Sequence, residues 1–188
     1  MLCSHEAPTE TVISALRHGK RAGARTVLNP APFRGLSLEV LMRADIVTPN
    51  ESELRESLFL NDSETPLTTA GGAVELTRRL CMESRPDSRS AVAVTMGERG
   101  VAVVVVGNAG LDVTQVAAPR VRAIDTIGAG EAFNGVLAAH LAWGESVLAA
   151  CRHAAAAGAM VATMLGARPS FGPGMPAMNS PSSTSKSV

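Results

Sequence analysis

The chain has 188 residues, 46% of them hydrophobic, and its 17 basic and 17 acidic side chains leave no formal net charge. That length suits one domain of ordinary size with its own core, and the charge balance excludes nucleic acid or an anionic membrane as the main partner. Aromatic residues are only 3% and tyrosine is absent, so the core must be built from Val, Leu, Ala and Met.

Cys3, Cys81 and Cys151 are odd in number and lack metal-binding spacing, which reads as idle or buried thiols in a reducing compartment. The N-terminus has no basic n-region followed by an apolar run. The least polar stretch, 154–167, suits a core helix and is too short to span a bilayer. The expectation is a cytoplasmic protein.

In chain order, Val12, Ile13, Leu16 and Ala22 recur at helical spacing over 9–23, with Gly23 as a stop. Residues 26–29 follow as a strand that Pro30 and Pro32 cannot continue. A short helix at 38–43 leads to a strand at 45–48. Asn50 is then placed to cap a helix starting at Glu51. After a polar loop at 61–68, a helix over 69–83 carries Ala73, Leu76 and Leu80 on one face. The β-branched runs 91–95 and 101–106 predict adjacent strands joined by a Gly-rich link. Strands at 112–116 and 121–124 and helices at 129–143 and 146–165 complete the pattern. The Pro-, Ser- and Gly-rich tail from Gly172 is expected to be disordered.

Alternating strands and helices predict an α/β fold with a mostly parallel sheet covered by helices. Such sheets bind ligands beyond the carboxyl ends of their strands. Asn29, 50–53, 95–100 and 125–131 all fall at such places, which argues for one shared pocket.

Gly128, Ala129 and Gly130 open a long Ala-rich helix, where free N–H groups and the helix dipole favour an anion such as phosphate. The same glycines also suit a plain flexible turn. Glu131 is either a general base beside that anion site or an ordinary first-turn acid. Asp125 either ligates a cation or caps the turn. Asn50 and Glu53 read as a cap with a surface acid, or as a place for magnesium, which uses few carboxylates. Residues 95–100 either wrap a phosphate or form a tight β-turn. His153 lies among alanines, a pattern commoner for a core residue than for a ligand group. Gly166 and Ser170 offer a carbonyl and a hydroxyl to a cation, or simply end a helix. A dinucleotide fingerprint is disfavoured because Phe133 stands at its third Gly position, and no GxxxxGK[ST] loop exists.

Five collinear segments together resemble the ribokinase family of ATP-dependent sugar kinases, the PfkB carbohydrate kinases. They are residues 28–32 (Leu28, Asn29, Pro30, Ala31, Pro32), 47–53 (from Val47 to Glu53), 95–100, 125–130 and 166–170. The resemblance implies a ribokinase-like Rossmann-type layered sheet with helices on both faces, and phosphorylation of a sugar hydroxyl, with D-ribose to ribose 5-phosphate foremost. It assigns Asn50 and Glu53 to magnesium and nucleotide phosphates. Thr95, Met96, Gly97, Glu98, Arg99 and Gly100 become a nucleotide-binding loop, with His153 near the adenine. Gly128, Ala129, Gly130 and the Glu131 amide become the anion hole for the transferred phosphoryl group. A potassium ion would take the side chains of Asp125 and Ser170 and the carbonyls of Ile127, Val161, Met164 and Gly166. A small-molecule sugar and ATP are the implied partners, and a homodimer is a candidate assembly because the family often pairs through its lid.

Two departures are visible. The family has Asp where this chain has Glu131. Family members also carry a further N-terminal portion holding central strands, the sugar-recognition segment and the lid. On that comparison residues 1–171 correspond to the C-terminal nucleotide-binding part, with 172–188 as a tail. The expectation is an unpaired sheet edge and weak or absent autonomous activity. The rival expectation is a non-catalytic nucleotide-binding module or an inactive fragment.

Overall fold

The computed structural model describes residues 1–58, 68–83, 90–107 and 110–166. Its strands are β1 (Leu2–Ser4), β2 (Val27–Asn29), β3 (Ile46–Val47), β4 (Ala91–Thr95), β5 (Val101–Gly107) and β6 (Gly110–Val116). Its helices are α1 (Thr9–Arg21), α2 (Leu38–Leu41), α3 (Glu51–Ser57), α4 (Thr69–Glu83), α5 (Ala129–Ala142) and α6 (Val147–Val161).

The six strands form one sheet in sequence order, β1 to β6. β1 through β4 run parallel, each joined to the next through helices. β5 and β6 then return antiparallel as a meander. The sheet is therefore mixed, and the parallel arrangement read from the sequence holds for its first four strands.

The period-two pleat splits the sheet's residues between two cores. Leu28, Val47, Val92, Val94, Ala102 and Val104 pack with residues of α1 to α4. Val27, Ile46, Ala91, Ala93, Val101 and Val103 pack with Phe133, Leu137, Leu141, Val147, Cys151 and Ala154 of α5 and α6. Helices thus cover both faces, as expected of strands apolar on both sides. α4 shows the matching helical pattern, with Ala73, Leu76, Thr77 and Leu80 fully buried.

The strand predicted at 121–124 does not form. Val121 and Ile124 are exposed there, and the Ile124 N–H donates to the carbonyl of Ala162 just past α6, not to a neighbouring strand. α6 ends at Val161, short of the predicted 165, because the chain turns there to carry Gly166 back towards Asp125. The polar loop at 61–67 and the tail from Gly172 lie outside the described residues. All three cysteines are free. Cys151 is buried, which pushes its thiol pKa up to about 12. No helix among the described residues is long and apolar enough to cross a membrane.

Gly100 is the residue the β4–β5 link cannot replace. Its φ is +86°, and an added Cβ would lie 2.0 Å from the Val116 carbonyl oxygen as the turn passes under the end of β6. Gly100→Ala is expected to lower stability by about 1–3 kcal/mol, read as a reduced urea midpoint at unchanged m-value.

Candidate active site

Three of the four segments singled out in the sequence sit directly at the carboxyl ends of parallel strands. Asn29 ends β2, Asn50 follows β3, and Thr95 ends β4, with Asn50 and Thr95 joined by a parallel β-bridge. The fourth, 125–131, reaches the same end of the sheet on the first turn of α5 rather than on a strand.

Asn50 and Glu53 form a complete capping box. Asn50 Oδ1 accepts the Glu53 N–H at 2.9 Å, and Glu53 Oε2 accepts the Asn50 N–H at 2.8 Å. The two residues are locked together by the start of α3 before any ligand arrives. Glu53 is buried, and that burial raises its carboxyl above the ordinary Glu range despite the Asn50 N–H. A nearby dication would favour the ionised form and offset this penalty, so the position fits magnesium.

Residues 95–100 fold back on themselves. The Met96 N–H donates to the Gly100 carbonyl at 2.8 Å around a single 3-10 turn at Gly97–Arg99. The tight-turn reading of this segment is therefore realised. Arg99 turns away to bind Glu51 through both carboxylate oxygens, at 2.6 and 2.5 Å. Thr69 donates to the same Glu51 Oε1, and its hydrogen bond is the main cause holding the Glu51 carboxyl below its ordinary value. A cavity of about 330 Å³ opens beside this ion pair, lined by Glu51, Leu54, Arg55, Leu58 and Thr69.

Gly128 caps α5 in the left-handed conformation, φ +85°, which disfavours any residue with a Cβ. The Ala129 N–H is taken by the Thr126 carbonyl at 3.2 Å. The N–H groups of Gly130 and Glu131 have no acceptor within the helix, as its first turn dictates. Gly130 and Glu131 are exposed, so the positive end of α5 opens to solvent with a carboxylate beside it.

Asn134 fixes where that turn sits. It is buried, donates to the Gly130 carbonyl at 3.0 Å and accepts from Thr48 Oγ1 at 2.6 Å. Thr48 directly follows β3, so this bridge ties the first turn of α5 to the strand end that leads into Asn50. Gly158 of α6 completes the placement, since a Cβ there would lie 3.1 Å from the Ala129 carbonyl oxygen.

Asp125 brackets two segments. Its Oδ1 accepts the Ile127 N–H and its Oδ2 the Gly166 N–H, both at 3.0 Å. These two bonds, Ile127 first, hold its carboxyl below the ordinary Asp range. The bracket lies against the end of α6, where the Ala162 carbonyl accepts from Ile124 and Asp125 and the Val161 carbonyl accepts from Met164. The Asp125 carboxylate and the carbonyls at the end of α6 are oxygen donors of the kind a hard cation such as potassium takes, each hydrogen-bonded here to a backbone N–H. Ser170 lies outside the described residues.

His153 is half exposed, not a core residue. It stands on α6 beside His140, at the opposite end of α5 from Gly128. His140 is about 18 Å from Gly128 along the twelve residues of helix that separate them.

The side chain of Asn134 was not singled out in the sequence, and Thr48 and Glu51 were included only within the segments 47–53 and 50–53, with no role of their own. Asn134 offered a signal, since a polar residue at a core-facing position of an apolar helix needs a partner. Thr48 and Glu51 offered none, because their partners lie 86 and 48 residues away.

The fold and this strand-end arrangement define a ribokinase-like α/β class. Arabidopsis thaliana ribokinase, solved in complex with ribose and ATP, matches with a TM-score of 0.71 and 25% identity, over 88% of this chain and 50% of that chain. Haemophilus influenzae ribokinase is 31% identical over 171 residues, covering 91% of this chain and 52% of the relative. Salmonella typhi deoxyribokinase is 33% identical over 167 residues, covering 88% and 50%. The family model for pfkB family carbohydrate kinases matches residues 2–172. This chain belongs to the pfkB family of carbohydrate kinases. It spans about half the length of the curated relatives it matches.

Three outcomes follow from this geometry. Asn134→Ala leaves the buried Thr48 hydroxyl with only its longer 3.4 Å bond to the Leu28 carbonyl and is expected to destabilise the fold by about 1–3 kcal/mol. In a double-mutant cycle Asn134→Ala and Thr48→Val should show coupling of about 0.5–3 kcal/mol by urea unfolding. The Asp125 pKa is depressed in the folded state, so its contribution is present above the unfolded value and lost as pH falls through the folded one. Asp125→Asn is expected to flatten the acid limb of melting temperature against pH and to leave its shape near neutrality unchanged.

Proposed function

We propose that this chain supplies the nucleotide- and phosphoryl-handling part of an ATP-dependent sugar kinase, with a pentose such as D-ribose as acceptor. The observation that carries the reading is the first turn of α5, opened by Gly128 and held by the Thr48–Asn134 bridge against the strand ends that present Asn50 and Thr95. The names of the matched ribokinase and deoxyribokinase support a pentose.

In this reading the N–H groups of Gly130 and Glu131 face the oxygens of the phosphoryl group, where charge is spread during transfer. The bond from the γ-phosphorus to the ADP oxygen breaks as a sugar hydroxyl oxygen bonds to that phosphorus. The hydroxyl proton passes to the Glu131 carboxylate. Asn50 and Glu53 border the nucleotide phosphates, and residues 95–100 border the nucleoside. Magnesium near Glu53 and potassium near Asp125 would supply counter-charge to the phosphates.

Glu131 also favours a second reading. By the family resemblance an Asp stands at this position, and the extra methylene moves the carboxylate by about 1.5 Å. A misplacement of about 1 Å can lower a rate on the order of a hundredfold. A binding module that retains nucleotide but transfers phosphate poorly matches that displacement.

Calorimetry with ATP and magnesium tests the shared part of the two readings: saturable binding is expected, and its absence overturns both. ADP release with D-ribose, magnesium and potassium then separates them. Glu131→Asp is expected to raise turnover by up to about a hundredfold if the kinase reading holds. Binding without turnover in either form selects the module.

A further inference from the structure

We propose that His140, Glu145 and His153 form a binding site for a transition-metal dication, with Zn2+ as its representative, at the end of α5 remote from Gly128. His140 lies in the last turn of α5, Glu145 in the turn that follows, and His153 on the second turn of α6. The donor atoms these three side chains offer all lie within 4.8 Å of one another.

Two imidazoles and one carboxylate are the donor set of three-ligand zinc sites that keep a fourth position open. The open side here is the exposed face of His153. His140 is 4% exposed, and its Nε2 atom is buried with no hydrogen-bond partner. Glu145 Oε2 is likewise buried and has no hydrogen-bond partner. Two unsatisfied polar atoms in one small cluster are unusual, because buried polar groups are nearly always bonded. A metal ion supplies the missing partner. The C-terminal end of α5 carries the negative pole of the helix dipole and adds to the attraction for a cation.

The geometry needs one adjustment. His140 Nδ1 is 2.9 Å from Glu145 Oε1, and His153 Nε2 is 3.7 Å from Glu145 Oε2. Zinc bonds of about 2.0–2.1 Å place tetrahedral donors roughly 3.3 Å apart, so the longest separation must close by about 1.5 Å. The two rings now stack at 4.0 Å and 9°, which directs their lone pairs along parallel planes. They cannot meet at one ion in that pose. His153, the exposed partner, must leave the stack by a change of rotamer, so metal binding replaces a stacked pair with a chelate.

Trp143, the chain's single tryptophan, reports on this event. Its ring meets His140 edge-on at 4.8 Å, close enough for a bound Ni2+ ion to quench its fluorescence. The test titrates the full chain with Zn2+ by calorimetry and with Ni2+ by Trp143 fluorescence, without nucleotide, so its outcome is independent of the kinase reading. One ion per chain with micromolar affinity is expected. His153→Ala and Glu145→Gln are expected to weaken binding at least about tenfold with unchanged circular dichroism. His18→Ala, a change at an exposed histidine of α1, is expected to leave binding unaltered. Absence of saturable binding overturns the proposal. So does binding that survives His153→Ala and Glu145→Gln, or that falls equally with His18→Ala.

Discussion

The buried hydrogen bond between Thr48 and Asn134 sets the relation between the sheet and the helix that opens at Gly128. β3 is only two residues long and contributes little pairing of its own. The Thr48 hydroxyl at its exit nonetheless reaches α5, and Asn134 passes the constraint on to the Gly130 carbonyl. Inside a protein such a bond is stronger than in water, and breaking it leaves a group that no solvent can satisfy. The position of the free N–H groups is therefore fixed by a polar contact set within two apolar layers.

The rest of the architecture follows from covering both faces of one sheet. The pleat sends Val92 and Val94 to one core and Ala91 and Ala93 to the other. Small residues on the second face let α5 and α6 approach closely, and Gly158 brings α6 to within contact of the Ala129 carbonyl. That approach delivers the end of α6 to the Asp125 loop. The meeting of Asp125 with the end of α6 and with Gly166 is thus a by-product of helix packing.

α5 has different chemistry at its two poles, and its dipole explains both. The positive end presents Gly130 and Glu131, where an anion is favoured. The negative end presents His140 beside Glu145 and His153, where a cation is favoured. The family assignment accounts for the first pole. The second rests on this chain's own residues, because His140 is what turns an exposed histidine and a turn glutamate into a convergent cluster.

Much of the fold was legible because its signals are local. α1, α3 and α4 begin where the sequence places them, since helical spacing and the Asn50–Glu53 capping box act over a few residues. Gly128 marked the turn into α5 for the same reason. The segment 121–124 misled because its apolar residues imitate a strand, while its backbone bonds go to the end of α6. The sequence by itself determined the layered α/β pattern and the residue types of the turn into α5, because spacing, capping and glycine conformation are short-range properties. Only the tertiary structure decided that Thr48 holds Asn134, that Arg99 is claimed by Glu51, and that His153 stacks on His140. The first two contacts join residues far apart in the chain and the third joins two consecutive helices, and a side chain's partner on another element is fixed only once those elements have packed.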